Sequence, residues 1–176
     1  ERSENNQMIR LLKYSEDFEA ETLRRIAEFF GFHQTLIKEI TEEERKKVSS
    51  EAAETLQDWQ RGDNELYVIL QNEEAVGFLR LNYRGPIVAW IEDIFVDEDR
   101  RGRGIATEAI SAAEDIVRGK AGYEAICLDV VPRNTAAMKL YHKLGFTDLS
   151  MLTLRKELNE SKRDRPLELL GLEFKY

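Results

Sequence analysis

Apolar and polar positions follow two different periods along this chain, and the changes of period mark its elements. "MIRLL" (Met8 to Leu12) is a short apolar run that predicts a strand. From Ser15 the spacing becomes helical, with Phe18, Thr22, Leu23, Ile26, Phe29 and Phe30 on one face and Gly31 as the predicted stop. Thr41 and Glu44 stand in capping-box spacing ahead of a second helix, whose apolar face is Val48, Ala52, Leu56 and Trp59. The charges around them read as its solvated side. The pattern then turns β-branched and aromatic in "ELYVIL", "AVGFLRL" and "IVAWIEDIFV", parted by the turn-like "QNEE" and "NYRGP". These form a three-stranded antiparallel meander that ends at Val96.

Beyond Val96, Ile105, Ala109, Ala112, Ala113, Ile116 and Val117 give an apolar helical face that stops near Gly119 and Gly122. "EAICLDVV" reads as a strand buried on both sides. Asn134 suits the N-cap of a further helix with Ala137, Leu140, Tyr141 and Leu144 inward and Gly145 at its C′ position. "DLSMLTLRKEL" and the tail "PLELLGLEFKY" read as more strands. The predicted order is β-α-α-β-β-β-α-β-α-β(-β), an α+β (α/β mixed) fold with a central mixed sheet flanked by helices. At 176 residues it is expected to be one domain spanning 1–176.

Composition narrows the function classes. Acids outnumber bases 34 to 26, a formal charge of -8, which argues against nucleic acid or an anionic membrane as partner. A single cysteine, Cys127, leaves no intrachain disulfide, and with two histidines there is no metal framework, so no metal is expected. No long apolar run or signal-peptide core is present, so a cytoplasmic location is expected.

Against that acidity, "DRRGRGIA" stands out. A strand that ends in a glycine-rich turn and opens a helix leaves free N–H groups where the peptide dipoles favour an anion. Gly102 and Gly104 let the backbone approach a phosphate, and Arg101 and Arg103 bring positive charge. The P-loop pattern needs a terminal Gly-Lys-Ser/Thr, which is missing, and the dinucleotide fingerprint needs a third glycine where Thr107 sits.

Arg101, Gly104 and Ala106 do form Arg-x-x-Gly-x-Ala after "IEDIFV", and "LDVVPRNTAAMKLYHKLGF" follows downstream. In these two motifs, over residues 87–146, the chain resembles the GNAT superfamily of N-acetyltransferases. The resemblance implies acetyl-coenzyme A as cofactor. Backbone groups of Ile94, Phe95 and Val96 would pair with the pantetheine arm, and the amides of Gly102, Arg103, Gly104, Ile105, Ala106 and Thr107 would hold the pyrophosphate. It also implies that Asn134 contacts the cofactor and that Tyr141 protonates the departing thiolate. The acceptor would be a small-molecule amine or a peptide.

An alkylammonium must lose its proton before it attacks, which costs roughly 4 kcal/mol at neutral pH. A base is therefore expected, unless the amine binds already neutral. Glu92 and Asp129 are the candidates, both in apolar strands where burial would raise a carboxylate pKa. Asp93 would face away from Glu92 unless a bulge intervenes. A backbone N–H of the 87–96 strand would stabilise the oxyanion. Cys127 lacks a neighbouring base for covalent catalysis. His33 lies where the family places acceptor-binding segments, within "GFHQTLIKEI". The activity implied is direct acetyl transfer in a ternary complex. A protein N-terminal or lysine acetyltransferase and a non-catalytic acyl-coenzyme A sensor stay open, as does a homodimer paired through the tail.

Overall fold

The computed structural model describes residues 8–36, 41–159 and 163–176; residues 37–40 of "GFHQTLIKEI" lie outside them. The chain divides into two compact units, Glu1–Asp129 and Val130–Tyr176. In the first, β1 (Ile9–Lys13), β2 (Asn64–Gln71), β3 (Glu74–Asn82), β4 (Val88–Val96) and β5 (Ala125–Leu128) form one sheet in that order. Every pairing is antiparallel except β4 with β5, which is parallel. The sheet is thus mixed, as the predicted element order required.

Helices cover both faces. α1 (Glu19–Thr35) and α2 (Glu42–Trp59) lie on one, where Ile26, Phe29, Ala52, Leu56 and Trp59 pack with Leu66, Phe78 and Phe95. α3 (Ile105–Arg118) buries Ile105, Ala109, Ile110, Ala113 and Val117 and packs against β1 and β4. Burial on both faces explains why β2 is a continuous buried run from Leu66 to Gln71 rather than an alternation. Thr41 and Glu44 form the expected capping box. Among the described residues no helix is long and apolar enough to cross a membrane.

Gly31 does not stop α1, which runs on to Thr35. A helical glycine costs only about 1 kcal/mol, and the turn beyond it places His33 against Phe29 with ring centroids 4.2 Å apart. β5 is shorter than predicted and only partly buried, because a single neighbour, β4, pairs with it.

The second unit holds α4 (Thr135–Lys143) and a hairpin of β6 (Pro166–Leu169) and β7 (Leu172–Lys175). Residues 148–158 were expected as a strand but form no ladder. Within this unit β6 and β7 satisfy each other, so the segment has no partner there, and Leu149, Met151 and Leu154 are exposed. On α4 the half-buried positions are Ala137, Leu140 and Tyr141, followed by Leu144, the predicted face.

Candidate active site

β4 carries most of the geometry. The Asp97 amide donates to the Val76 carbonyl at 2.9 Å beside the Gly77–Val96 pair, which marks that pair as the non-hydrogen-bonded kind. By alternation, the Phe95 backbone groups point at β3, whereas those of Ile94 and Val96 point the other way. On that side β5 pairs only with Val88 to Ile91. Within this unit, the edge of β4 at Ile94 and Val96 therefore has no strand beside it. The Val96 carbonyl accepts a 2.9 Å hydrogen bond from Nε of Arg101, whose guanidinium also lies 5.1 Å from the Phe32 ring centre and 5.3 Å from that of Phe95.

The glycine turn follows directly. Gly102 and Gly104 both adopt left-handed conformations, with φ 75° and 82°. A Cβ at either would meet nothing within 4 Å, so the turn presents bare backbone. Gly104 is the N-cap of α3 and offers no side chain to the helix. Among the described residues, the amides from Gly102 through Thr107 have no hydrogen-bond acceptor; the first internal bond of α3 runs from Glu108 N–H to the Gly104 carbonyl. Converging unpaired donors at a helix start make an anion site. Arg103 donates to the Asp99 carbonyl at 3.0 Å, close by.

Upstream, the β3–β4 register slips. Arg80 faces Asp93 and Leu81 faces Ile91, which leaves Glu92 as an extra residue in a β-bulge. The bulge cancels the usual alternation, so Glu92 and Asp93 share the face covered by α1 and α2. Glu92 lies 3.2 Å from the Arg84 guanidinium, which stacks 3.9 Å from the centre of the Trp90 ring. Asp93 accepts from Arg80 Nε at 2.7 Å, and Arg80 itself lies over Trp59. Burial pushes the Asp93 carboxyl above its ordinary value, against the opposing pull of Arg80.

Asp129 stands beyond the end of β5 and is exposed. His33 occupies the last turn of α1, and burial lowers its pKa. Cys127 is a half-buried free thiol.

In the second unit, the Asn134 side chain caps α4 by accepting from the Ala137 amide at 3.3 Å. The helix ends in a complete Schellman motif. The Phe146 amide donates to the Tyr141 carbonyl at 3.0 Å and the Gly145 amide to that of His142 at 3.1 Å, with Gly145 at φ 95°. The accompanying apolar contact is between the rings of Tyr141 and Phe146, 6.0 Å apart. "LYHKLGF" is thus a helix stop that fixes the direction of Tyr141.

The model of the acetyltransferase (GNAT) family matches residues 33–146. The chain belongs to this family. It is 35% identical over 94 residues to an uncharacterized N-acetyltransferase of Methanocaldococcus jannaschii, a match covering 50% of this chain and 41% of that protein. It is 31% identical over 84 residues to N-alpha-acetyltransferase 30 of Schizosaccharomyces pombe, covering 46% of this chain and 55% of that one. The matches thus span about half the length of these relatives. Among solved structures, the PaiA N-acetyltransferase of Thermoplasma acidophilum in complex with coenzyme A shares the fold, with a TM-score of 0.62 at 17% identity over 78% of this chain and 89% of that one.

Several residues around this GNAT scaffold escape a reading of the sequence. Arg25 is buried to 3% exposure and donates to Asp97 at 2.8 and 2.7 Å, tying α1 to the end of β4. The signal was an arginine next to Ile26 and three residues after Thr22, on the apolar stripe of α1. Gly77 is a second case: a Cβ there would lie 2.2 Å from the Phe95 carbonyl oxygen. The Arg84–Trp90 contact had no sequence signal, because it joins a loop to a strand face.

Proposed function

We propose that this protein is an acetyl-coenzyme A-dependent N-acetyltransferase that moves the acetyl group to a primary amine by direct attack in a ternary complex. The observation that carries the reading is a stretch of β4 edge with no strand beside it within its unit, followed by a turn whose amides have no acceptor among the described residues, in a chain of the GNAT family. A pantetheine arm offers amides for a strand edge, and a pyrophosphate offers oxygens for a helix start, so the residues present fit coenzyme A. Ile94 and Val96 would hold the arm, and Gly102 to Thr107 the pyrophosphate. Phe95, turned to β3, acts by placing its neighbours. Bound acetyl-coenzyme A supplies the activated acetyl thioester.

The remaining roles belong to side chains of this chain. Glu92, half-buried on the bulge, accepts the proton of the acceptor ammonium; Asp129 is the weaker candidate because it is exposed. A backbone N–H on the free edge of β4 donates to the developing oxyanion. Tyr141 protonates the leaving thiolate, and Asn134 contacts the cofactor. A second reading, a peptide N-terminus as acceptor, is favoured by the likeness to an N-alpha-acetyltransferase.

The test is calorimetry of coenzyme A with wild type and Gly104→Val, alongside release of coenzyme A thiol from acetyl-coenzyme A with a panel of amines and N-terminal peptides. A valine at φ 82° is strained, although its Cβ meets no atom within 4 Å. Binding should fall at least about tenfold, the loss of one or two charge-assisted hydrogen bonds, with the fold retained. Equal affinity in a folded variant refutes the pyrophosphate site, and binding without transfer to any acceptor favours the sensor reading.

A further inference from the structure

The bulge holds two arginine–aromatic–carboxylate groupings on one face, and they differ in how firmly they are held. Arg80 donates through Nε to Asp93 and through a terminal nitrogen to Asn64 at 2.8 Å, while its side chain retains only 16% exposure. That grouping is a fixed part of the core. Arg84 comes from the β3–β4 loop, its side chain is 48% exposed, and it touches Glu92 at 3.2 Å without hydrogen-bond geometry. Its main contact is the Trp90 ring, at 3.9 Å. An exposed cation–π contact and a half-exposed ion pair each contribute little, so together they hold the guanidinium by a factor of about 5–30.

What Arg84 occupies is a cradle for a compact cation: an indole face on one side and a carboxylate on the other. The same carboxylate is the group assigned to receive the acceptor's proton. Glu92 is also two residues before Ile94, about 7 Å along the strand from the free edge. An ammonium seated against Glu92 would therefore lie beside the place where the thioester is held.

We propose that Trp90 and Glu92 form the recognition site for the ammonium of an alkylamine acceptor, and that Arg84 is a displaceable internal competitor for it that sets acceptor affinity. The inference rests on the acetyltransferase reading given above. In the reaction, the acceptor ammonium displaces the Arg84 guanidinium and passes one proton to the Glu92 carboxylate. The resulting neutral amine forms the new C–N bond to the acetyl carbon while the C–S bond breaks with its electron pair on sulfur; the thiolate takes a proton from the Tyr141 hydroxyl, which is restored by the second proton shed by the acylated nitrogen. Arg84 therefore contributes to specificity: an acceptor lacking a charged amine gains nothing from displacing it. Arg84 is a positioning and selectivity residue, because it need not touch the reacting atoms.

Two measurements test this. In steady-state kinetics, Arg84→Ala should lower KM for a cationic alkylamine about 5–30-fold with kcat changed far less, and Arg84→Gln should follow it. The second measurement needs neither turnover nor cofactor: tryptophan fluorescence is titrated with ethylguanidinium chloride against matched potassium chloride. A saturable change is expected in Arg84→Ala, a much weaker one in wild type, and none in Arg84→Ala/Glu92→Gln. An unchanged or raised KM in both active variants overturns the proposal, and so does an identical ethylguanidinium response in wild type and Arg84→Ala. Failure of the wild type to acetylate any amine would count against the enzymatic reading instead, while the fluorescence result would still decide whether the cradle binds a cation.

Discussion

Replacing Gly77 with alanine tests the packing that shapes β4. The added Cβ would lie 2.2 Å from the Phe95 carbonyl oxygen and 3.2 Å from Cδ1 of Ile69. The obstacle is backbone, so no rotamer change removes it. Restoring a contact of 3.4 Å requires β3 and β4 to separate by about 1.2 Å at this point. Overpacking of this kind costs about 1–3 kcal/mol, and weakening the Phe78–Phe95 backbone pair adds about 1 kcal/mol. Loss of glycine's freedom in the unfolded chain returns roughly 0.5 kcal/mol. The net is about 1.5–3.5 kcal/mol, which for a chain of this size lowers Tm by roughly 3–14 °C. The same displacement moves the Ile94 and Val96 edge, so coenzyme A affinity should fall by roughly tenfold in the folded fraction. Urea denaturation followed by circular dichroism measures the first quantity and calorimetry the second. A variant within about 0.5 kcal/mol of wild type, inside the ordinary scatter for surface changes, would refute the close approach of these strands.

Tyr141→Phe keeps the ring and its contact with Phe146, and kcat in the folded fraction should fall roughly 10–10³-fold, less at low pH; a folded and fully active variant would remove the general-acid role. His33 has a pKa lowered by burial, so below about pH 6.5 the unfolded chain binds the proton more readily than the folded one. Folding stability should therefore fall as pH drops through that value, and His33→Gln should flatten the slope; the same pH dependence in both proteins would rule out His33 as its source.

The order of elements was legible because it is written locally. The capping box at Thr41 and Glu44, the Asn134 cap, Gly145 and the helical and two-residue periods each need only a few neighbouring residues. The glycine turn was legible for the same reason. What the sequence hid depends on register between distant segments. The bulge that brings Glu92 and Asp93 to one face is visible only as a slip between β3 and β4. The need for glycine at position 77 comes from Phe95, and the burial of Arg25 comes from Asp97. The exposure of Asp129 was hidden because "EAICLDVV" is apolar enough for a doubly buried strand, yet β5 ends at Leu128 with a neighbour on one side only. Residues 148–158 are apolar enough to read as a strand, but apolar composition supplies no partner for the ladder.

The short unpaired edge of β4 also bears on how this protein behaves in company. A row of free backbone donors and acceptors is a template on which a foreign extended chain can add itself. Here the template is only as long as Ile94 to Val96, and its last carbonyl is already taken by Arg101 Nε. Shortness and a charged side chain laid across the end are the devices by which soluble sheets discourage self-association. The feature that would admit a pantetheine arm therefore carries its own guard, and the arm, once seated, would complete it.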